Sequence, residues 1–221
     1  MLIMYDLHNK ILFKEKPTVV EGFGIKGLGV VFENKIDGGV FDKIEKQVKF
    51  DVVPIIELKA KRENELKTAV RRVRNQAVVV MIDAGDVSVA RAAAEMSDVD
   101  IISHAFVDQT TARDAAKNNV ALEVNLRDIL QVYGMKRANL LSKLNFNLRL
   151  ARKYKTPIVL TTGAKTIYDM RTPKQIQLFA EAIGFKKDEA KKAIFTTPKK
   201  IVETNRKKLS GKIVSEGVEI K

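Results

Sequence analysis

The residues Ile158-Val159-Leu160-Thr161-Thr162-Gly163-Ala164-Lys165, continuing as Thr166-Ile167-Tyr168-Asp169-Met170-Arg171-Thr172-Pro173, decide how the rest of the chain is read. An apolar, β-branched run ends in two threonines, a glycine and a lysine, and Thr172 before Pro173 then marks a helix start. The stretch is a strand, a short loop and a helix, one βα unit. In a β/α barrel such loops form the working face, and those after the last strands commonly hold a phosphate with backbone N–H groups, hydroxyls and a cation. Lys165 is the candidate cation; the plainer alternative is a glycine turn with Lys165 in water.

Six β-like runs precede this one, at Ile3–Leu7, Leu28–Phe32, Val52–Glu57, Ala77–Ile82, Asp100–Ser103 and Ala121–Val124. Several are apolar almost throughout, as strands covered on both faces are. Helical patterns lie between them, among them Glu63–Asn75, Val87–Met96, Gln109–Asn118 and Arg137–Tyr154. Seven such units with no Pro/Gly/Ser-rich linker predict an α/β fold, a single TIM-barrel-like domain over residues 1–209 built on a parallel β/α barrel. Seven strands are clear and an eighth is not obvious. Residues 210–221 are either a loose tail or a late strand.

A chain of 221 residues, 45% hydrophobic and 30% charged, is large enough for a full core. Its apolar runs, such as Ala77–Ile82, are too short to cross a bilayer, and Met1-Leu2-Ile3-Met4-Tyr5-Asp6 lacks the charged and cleavable parts of a signal peptide. The expectation is a soluble cytoplasmic protein with no membrane partner. Zero cysteines exclude disulfides, thiol catalysis and cysteine metal sites, and two histidines leave little for a histidine metal site.

The net charge of +13 is unevenly placed: residues 1–134 hold 19 Lys+Arg against 20 Asp+Glu, whereas residues 135–221 hold 21 against 7. A positive field concentrated on one part of a molecule attracts phosphate backbones, which makes nucleic acid the leading partner class. A lysine-rich surface serving solubility is the alternative.

Gly22-Phe23-Gly24-Ile25-Lys26-Gly27 matches G-x-G-x-x-G, but it precedes a strand and opens no long helix, so it is read as a turn with close packing rather than a nucleotide site. Polar residues instead gather where the apolar runs stop: Asp6 and His8, Glu57, Asp83, His104, and Glu123, Asn125 and Arg127. On a barrel they converge on one face. They could serve acid–base chemistry or hold a divalent metal; the alternative is a network in which Glu123 or Asp83 neutralises Arg127 or Lys165.

Beyond Gly134, spacing at 100° per residue puts Leu140, Leu141, Leu144, Leu148 and Ala151 on one arc of a helix and Lys136, Lys143, Arg149 and Lys153 on the rest. Phe146 and Leu150 fall among the bases, as an exposed docking pair or as packing under a neighbour. A helix over Pro173–Ile183 should stop at Gly184, Asp188 should cap another, and Thr197-Pro198 should start one that buries Ile201, Val202 and Leu209. Lys199, Lys200, Arg206, Lys207 and Lys208 then lie on its outer face and end, where cations also suit the helix dipole.

Several segments together resemble a known family: Asp100-Ile101-Ile102-Ser103-His104, Ala121 to Asp128, Leu148 to Tyr154, Thr162-Gly163-Ala164-Lys165, Tyr168 to Pro173, and Asn205-Arg206. As an ordered set from Val52 to Lys208 they look like protein component 3 of archaeal ribonuclease P, the thirty-kilodalton subunit family shared with eukaryotes. The resemblance implies a TIM-barrel-like protein related in fold to the PHP phosphoesterases. It would be a subunit of the ribonucleoprotein that removes 5′ leaders from precursor tRNA, contacting that tRNA only indirectly. It further implies catalysis by the RNA with its Mg²⁺, no catalytic residue and no cofactor on this chain, and contact with the RNA subunit. The implied protein partners are component 2, two of each making a heterotetramer, and the other ribonuclease P proteins.

Asp6-Leu7-His8-Asn9-Lys10 resembles the start of the PHP metal motif, but Lys10 stands where its second histidine would be, and a cation there repels a metal. Lys165, Arg127 and Arg171 are therefore assigned to phosphates or rim pairs, Arg206 and Lys207 to a second basic surface, and His104 to the rim. The rival expectation is a self-sufficient phosphoesterase using Asp6, His8, Glu57, Asp83, His104 and Glu123.

Overall fold

Apolar β-branched runs joined by amphipathic helices fold into a nearly closed barrel in the computed structural model, which describes residues 4–11, 20–60 and 62–211 and the backbone of 213–215 and 218–219. The strands are β1 (Tyr5–Asn9), β2 (Gly27–Glu33), β3 (Asp51–Lys59), β4 (Val79–Asp83), β5 (Ile101–Ser103), β6 (Ala121–Asn125) and β7 (Ile158–Thr161). All neighbours pair in parallel, in chain order. The first expected strand begins at Ile3, outside the described residues, and the observed one runs two residues further, to Asn9.

Period-two alternation sorts each strand's side chains to two sides of the sheet. Leu7, Val31, Val53, Ile55, Val79, Met81, Ile101, Ala121 and Val159 form one buried cluster, which fills the barrel. The alternate positions, such as Ile56, Leu58, Val80 and Ile82, pack against the helices outside.

Those helices are α1 (Gly38–Gln47), α2 (Glu63–Val73), α3 (Val87–Ala94), α4 (Gln109–Lys117), α5 (Leu126–Gln131), α6 (Gly134–Tyr154), α7 (Pro173–Ala182), α8 (Lys187–Lys191) and α9 (Thr197–Leu209). Among the described residues, none is long and apolar enough to cross a membrane. The short connection before β2 is the glycine-rich stretch: Gly24 has φ of 71°, and a Cβ on Gly27 would stand 2.2 Å from the Tyr5 ring. These glycines shape a turn and let β2 approach β1.

Among the described residues no eighth strand joins β7 to β1. The seam is held by the Thr162 N–H, which donates to Asp6 Oδ1 at 3.0 Å, and by the Lys10 N–H, which donates to Ala164 O at 2.8 Å. The C-terminal helices pack on β1 and β7 beside it.

These C-terminal helices differ from the sequence expectation. α8 runs through a π-helical turn, Lys192–Thr196, straight into α9, so Thr197-Pro198 does not open a separate helix. Pro198 lacks the N–H an α-turn needs, and the wider turn just before it accommodates the loss. Asp188 lies in the first turn of α8 while Lys186 is the N-cap, its N–H donating to the Glu189 carboxylate at 2.8 Å. Val202 reaches the barrel's interior cluster with Ile201 against it, but Leu209 is exposed.

α9 is fastened under the barrel by polar contacts. Asn205 Nδ2 donates to Asp100 Oδ1 at 2.7 Å and to Val78 O at 3.0 Å, while Arg74 Nη1 reaches Asp100 Oδ2 at 2.6 Å. Nearby, Arg206 forms a bidentate pair with Asp51, at 2.7 Å for each bond, and Tyr5 Oη donates to the same carboxylate. Beyond α9, β8 (Ile213–Ser215) and β9 (Val218–Glu219) make an antiparallel pair separate from the barrel sheet.

On α6, Leu150 is buried, so it is no exposed docking residue. Phe146 is partly buried against the outer core and stacks on Phe106 with ring centroids 5.4 Å apart.

Candidate functional site

The polar residues at the strand ends do converge on one face, and there they pair with one another. Asp6 is buried, accepting from both the N–H and the hydroxyl of Thr162 and, at 3.0 Å, from Asn9 Nδ2. A register irregularity between Asp6 and Asn9 breaks β1's regular pairing with β2 just where His8 stands. His8 Nδ1 lies 2.8 Å from Glu123 Oε1 and its Nε2 lies 3.7 Å from Glu57 Oε1. Lys10 Nζ is 2.8 Å from Glu33 and 3.5 Å from Glu57. A second chain of charges runs alongside: Lys59 is 3.4 Å from Asp83, His104 Nδ1 is 2.8 Å from the same carboxylate, and His104 Nε2 is 3.0 Å from Asp128.

The electrostatics follow from this alternation. Burial works against a charge on His8, but the Glu123 carboxylate and then Glu57 outweigh it and raise its pKa. Burial raises the pKa of Asp6. For His104, hydrogen bonds to Asp128 and Asp83 raise the imidazole to about 11.

A divalent metal takes the lone pair of a neutral imidazole. Here both histidines face carboxylates from both ring nitrogens, and the Lys10 ammonium stands beside Glu57. Glu123 Oε2 is buried and makes no hydrogen bond among the described residues, but a single carboxylate oxygen is not a coordination shell. Among the described residues, no group of three or more His, Asp and Glu side chains is arranged to hold a metal ion.

Residues 18–210 match the family described as RNase P subunit p30. The chain belongs to that family. Ribonuclease P protein component 3 of Methanosarcina mazei is 39% identical over 177 residues, 77% of this chain and 73% of that protein. The Methanococcoides burtonii protein of the same name is 33% identical over 224 residues, 99% and 91% of the two chains. A chain in the cryo-EM structure of archaeal ribonuclease P with mature tRNA superimposes with a TM-score of 0.83 at 28% identity, covering 98% of this chain and 97% of that one. A. niger ochratoxinase, with a TM-score of 0.65 at 13% identity, shares the fold alone. Both the family and the TIM-barrel-like fold anticipated from the sequence are those found, and the chain is a ribonuclease P protein subunit.

In this p30-family chain the six assigned cations do not form one site. Arg127 comes from the first turn of α5, directly after β6, and Lys165 and Arg171 from the segment between β7 and α7. Asp169 gathers the first two, accepting from Arg127 Nε at 3.3 Å and from the Lys165 and Thr166 N–H groups at 3.1 Å each. Asp6 takes the Thr162 N–H in the same loop. Of the backbone donors expected to cradle a phosphate, those of Thr162, Lys165 and Thr166 are engaged by the chain's own carboxylates and that of Ala164 by the Thr162 hydroxyl, which leaves the side-chain cations better placed to meet one.

The expected pairing of Glu123 or Asp83 with Arg127 or Lys165 is also replaced. Glu123 faces His8 and Thr161, Asp83 faces His104 and Lys59, and Arg127 takes Asp169. Arg171 Nη1 donates to the Tyr168 and Met170 carbonyls, at 2.7 and 2.6 Å. Arg206 and Lys207 lie at the other end of the barrel, near the start of β3, and Arg206 is held there by Asp51. Sequence reasoning gave no role to Asp128, Asp169, Glu33 or Lys59; the signal for Asp128 was its place three residues past the end of β6.

His104 gives a direct test. Its raised pKa means that the bridge contributes fully below the ordinary histidine value near 6.5 and is lost progressively as pH rises toward 11. Asp83, held below its ordinary value by His104, adds stability above about 4 that is lost on further acidification. In NMR titration of the two histidines, His104 carbon shifts should stay those of an imidazolium from pH 5 to 9; a midpoint near 6.5 would refute the bridge.

Proposed function

We propose that this subunit acts by binding the ribonuclease P RNA with side-chain cations mounted on a rigid barrel, and that it performs no hydrolysis itself. The reaction served is removal of 5′ leaders from precursor tRNA, with the RNA and its Mg²⁺ carrying out the chemistry. Component 2 is the proposed protein partner, two copies of each forming a heterotetramer within the ribonucleoprotein, with the cytoplasm as the compartment.

The observation that carries this reading is the barrel mouth. Among the described residues Glu33, Glu57, Glu123, Asp83 and Asp128 each pair with Lys10, His8, Lys59 or His104, an arrangement that favours a structural rim over a metal or acid–base centre. Meanwhile the charge excess of residues 135–221 lies on α6 to α9 and the loops between them, outside the barrel interior. A polyanion meeting such cations releases its condensed counterions, which gives affinity without base contacts.

Salt dependence is the test. With Lys165→Ala, the log–log slope of RNA binding against salt should fall by about 0.7–0.9, with stability unchanged. An unchanged slope would remove Lys165 from the interface. Turnover of a phosphate ester without RNA would overturn the non-catalytic reading altogether.

A further inference from the structure

Resting on that RNA-subunit reading, we infer that Phe106, backed by Phe146 and flanked by Arg149, is a stacking platform for one unpaired nucleobase of the RNA subunit. Phe106 lies between β5 and α4 and is 40% exposed. It stacks on Phe146 of α6 at 5.4 Å with an interplanar angle of 30°, and the Arg149 guanidinium sits 5.7 Å from the Phe146 ring. One turn further along α6, Lys153 Nζ lies 5.1 Å from the Tyr154 ring.

The ring is held in place rather than left to move. Asn147, buried on α6, donates from Nδ2 to Ala105 O at 2.8 Å and accepts the Val107 N–H at 3.2 Å, so one amide clamps the backbone on both sides of Phe106. Just before it, His104 adopts φ of 54°, a left-handed conformation fixed by its two carboxylate partners. A pre-ordered exposed aromatic costs little further entropy on binding. Bases extruded from RNA loops stack on such rings and on guanidinium planes, while neighbouring cations take the adjoining phosphates. An apolar protein segment would be served by the rings alone; the cations beside them favour the polyanion.

The chain has no tryptophan, so Phe106→Trp introduces a single reporter at the platform. In complexes reconstituted with the other protein subunits, adding the RNA subunit should quench its emission, whereas a Tyr133→Trp control at the N-cap of α6, away from the Phe146 end of that helix, should change little. Phe106→Ala should weaken RNA binding about fivefold to a hundredfold with the salt slope unchanged, and Phe106→Trp should retain affinity. RNA bound at full affinity without quenching, or quenching produced by a protein subunit before any RNA is added, would overturn the platform and leave the RNA-subunit reading standing. Absence of RNA binding by the unsubstituted complex would instead sink that reading and the platform with it.

Discussion

Replacing Asp100 with alanine is expected to cost about 3–5 kcal/mol of stability, the range for removing one partner of a buried ion pair. The carboxylate is 8% exposed and receives Arg74 Nη1 and the Val80 N–H on one oxygen and Asn205 Nδ2 on the other. Its loss leaves a largely buried guanidinium without its counter-ion and the Val80 N–H without this acceptor, and it removes one of the two bonds by which Asn205 ties α9 to the barrel, the one to Val78 O remaining. For a chain of this length the melting temperature should fall by roughly 6–20 °C. Thermal unfolding followed by circular dichroism measures it, and a drop of less than about 2 °C would show that the contacts are not holding α9. Asp100→Asn, which keeps an acceptor of the same shape, should recover part of the loss.

Gly163→Ala should destabilise the fold by about 2–3 kcal/mol, combining a left-handed backbone penalty of about 1–2 with the loss of a cap worth about 1. Gly163 has φ of 63°, and a Cβ there would fall 2.2 Å from Asn125 Oδ1, the atom that caps the Arg127 N–H. The alanine must therefore displace Asn125 and move the loop that carries Lys165. RNA affinity and stability should fall together in this variant, whereas Lys165→Ala should change only the former. A Gly163→Ala protein with unchanged unfolding midpoint in urea would show that the loop yields without cost.

The strands were legible because burial on both faces leaves an unbroken apolar run. Leu28–Phe32 and Ala121–Val124 each fall within one residue of the observed strand at both ends, and Ile158–Thr161 matches at both. α1 was not placed, since Gly38-Gly39 at its start is poor helix sequence and its N-cap, Asp37, announces itself only through a hydrogen bond to the Val40 N–H. The π-helical turn was hidden for a related reason: Thr197-Pro198 is the pattern of a beginning, and only packing makes it an interior.

At the site, residue types at strand ends foretold a polar face but not its pairing. Whether Asp83 meets Lys165 or His104 depends on the order of strands around the barrel, with β4 beside β5 and away from β7. Arg206 was read as an outward cation because its carboxylate partner, Asp51, is 155 positions away in sequence.

The barrel's stopper comes late in the chain. Val202 and Asn205 are reached about 44 residues after Thr161 closes β7, a delay of roughly 2–9 s at ordinary rates of translation. Throughout that interval a nascent polypeptide can assemble all seven strands and still expose its interior from below.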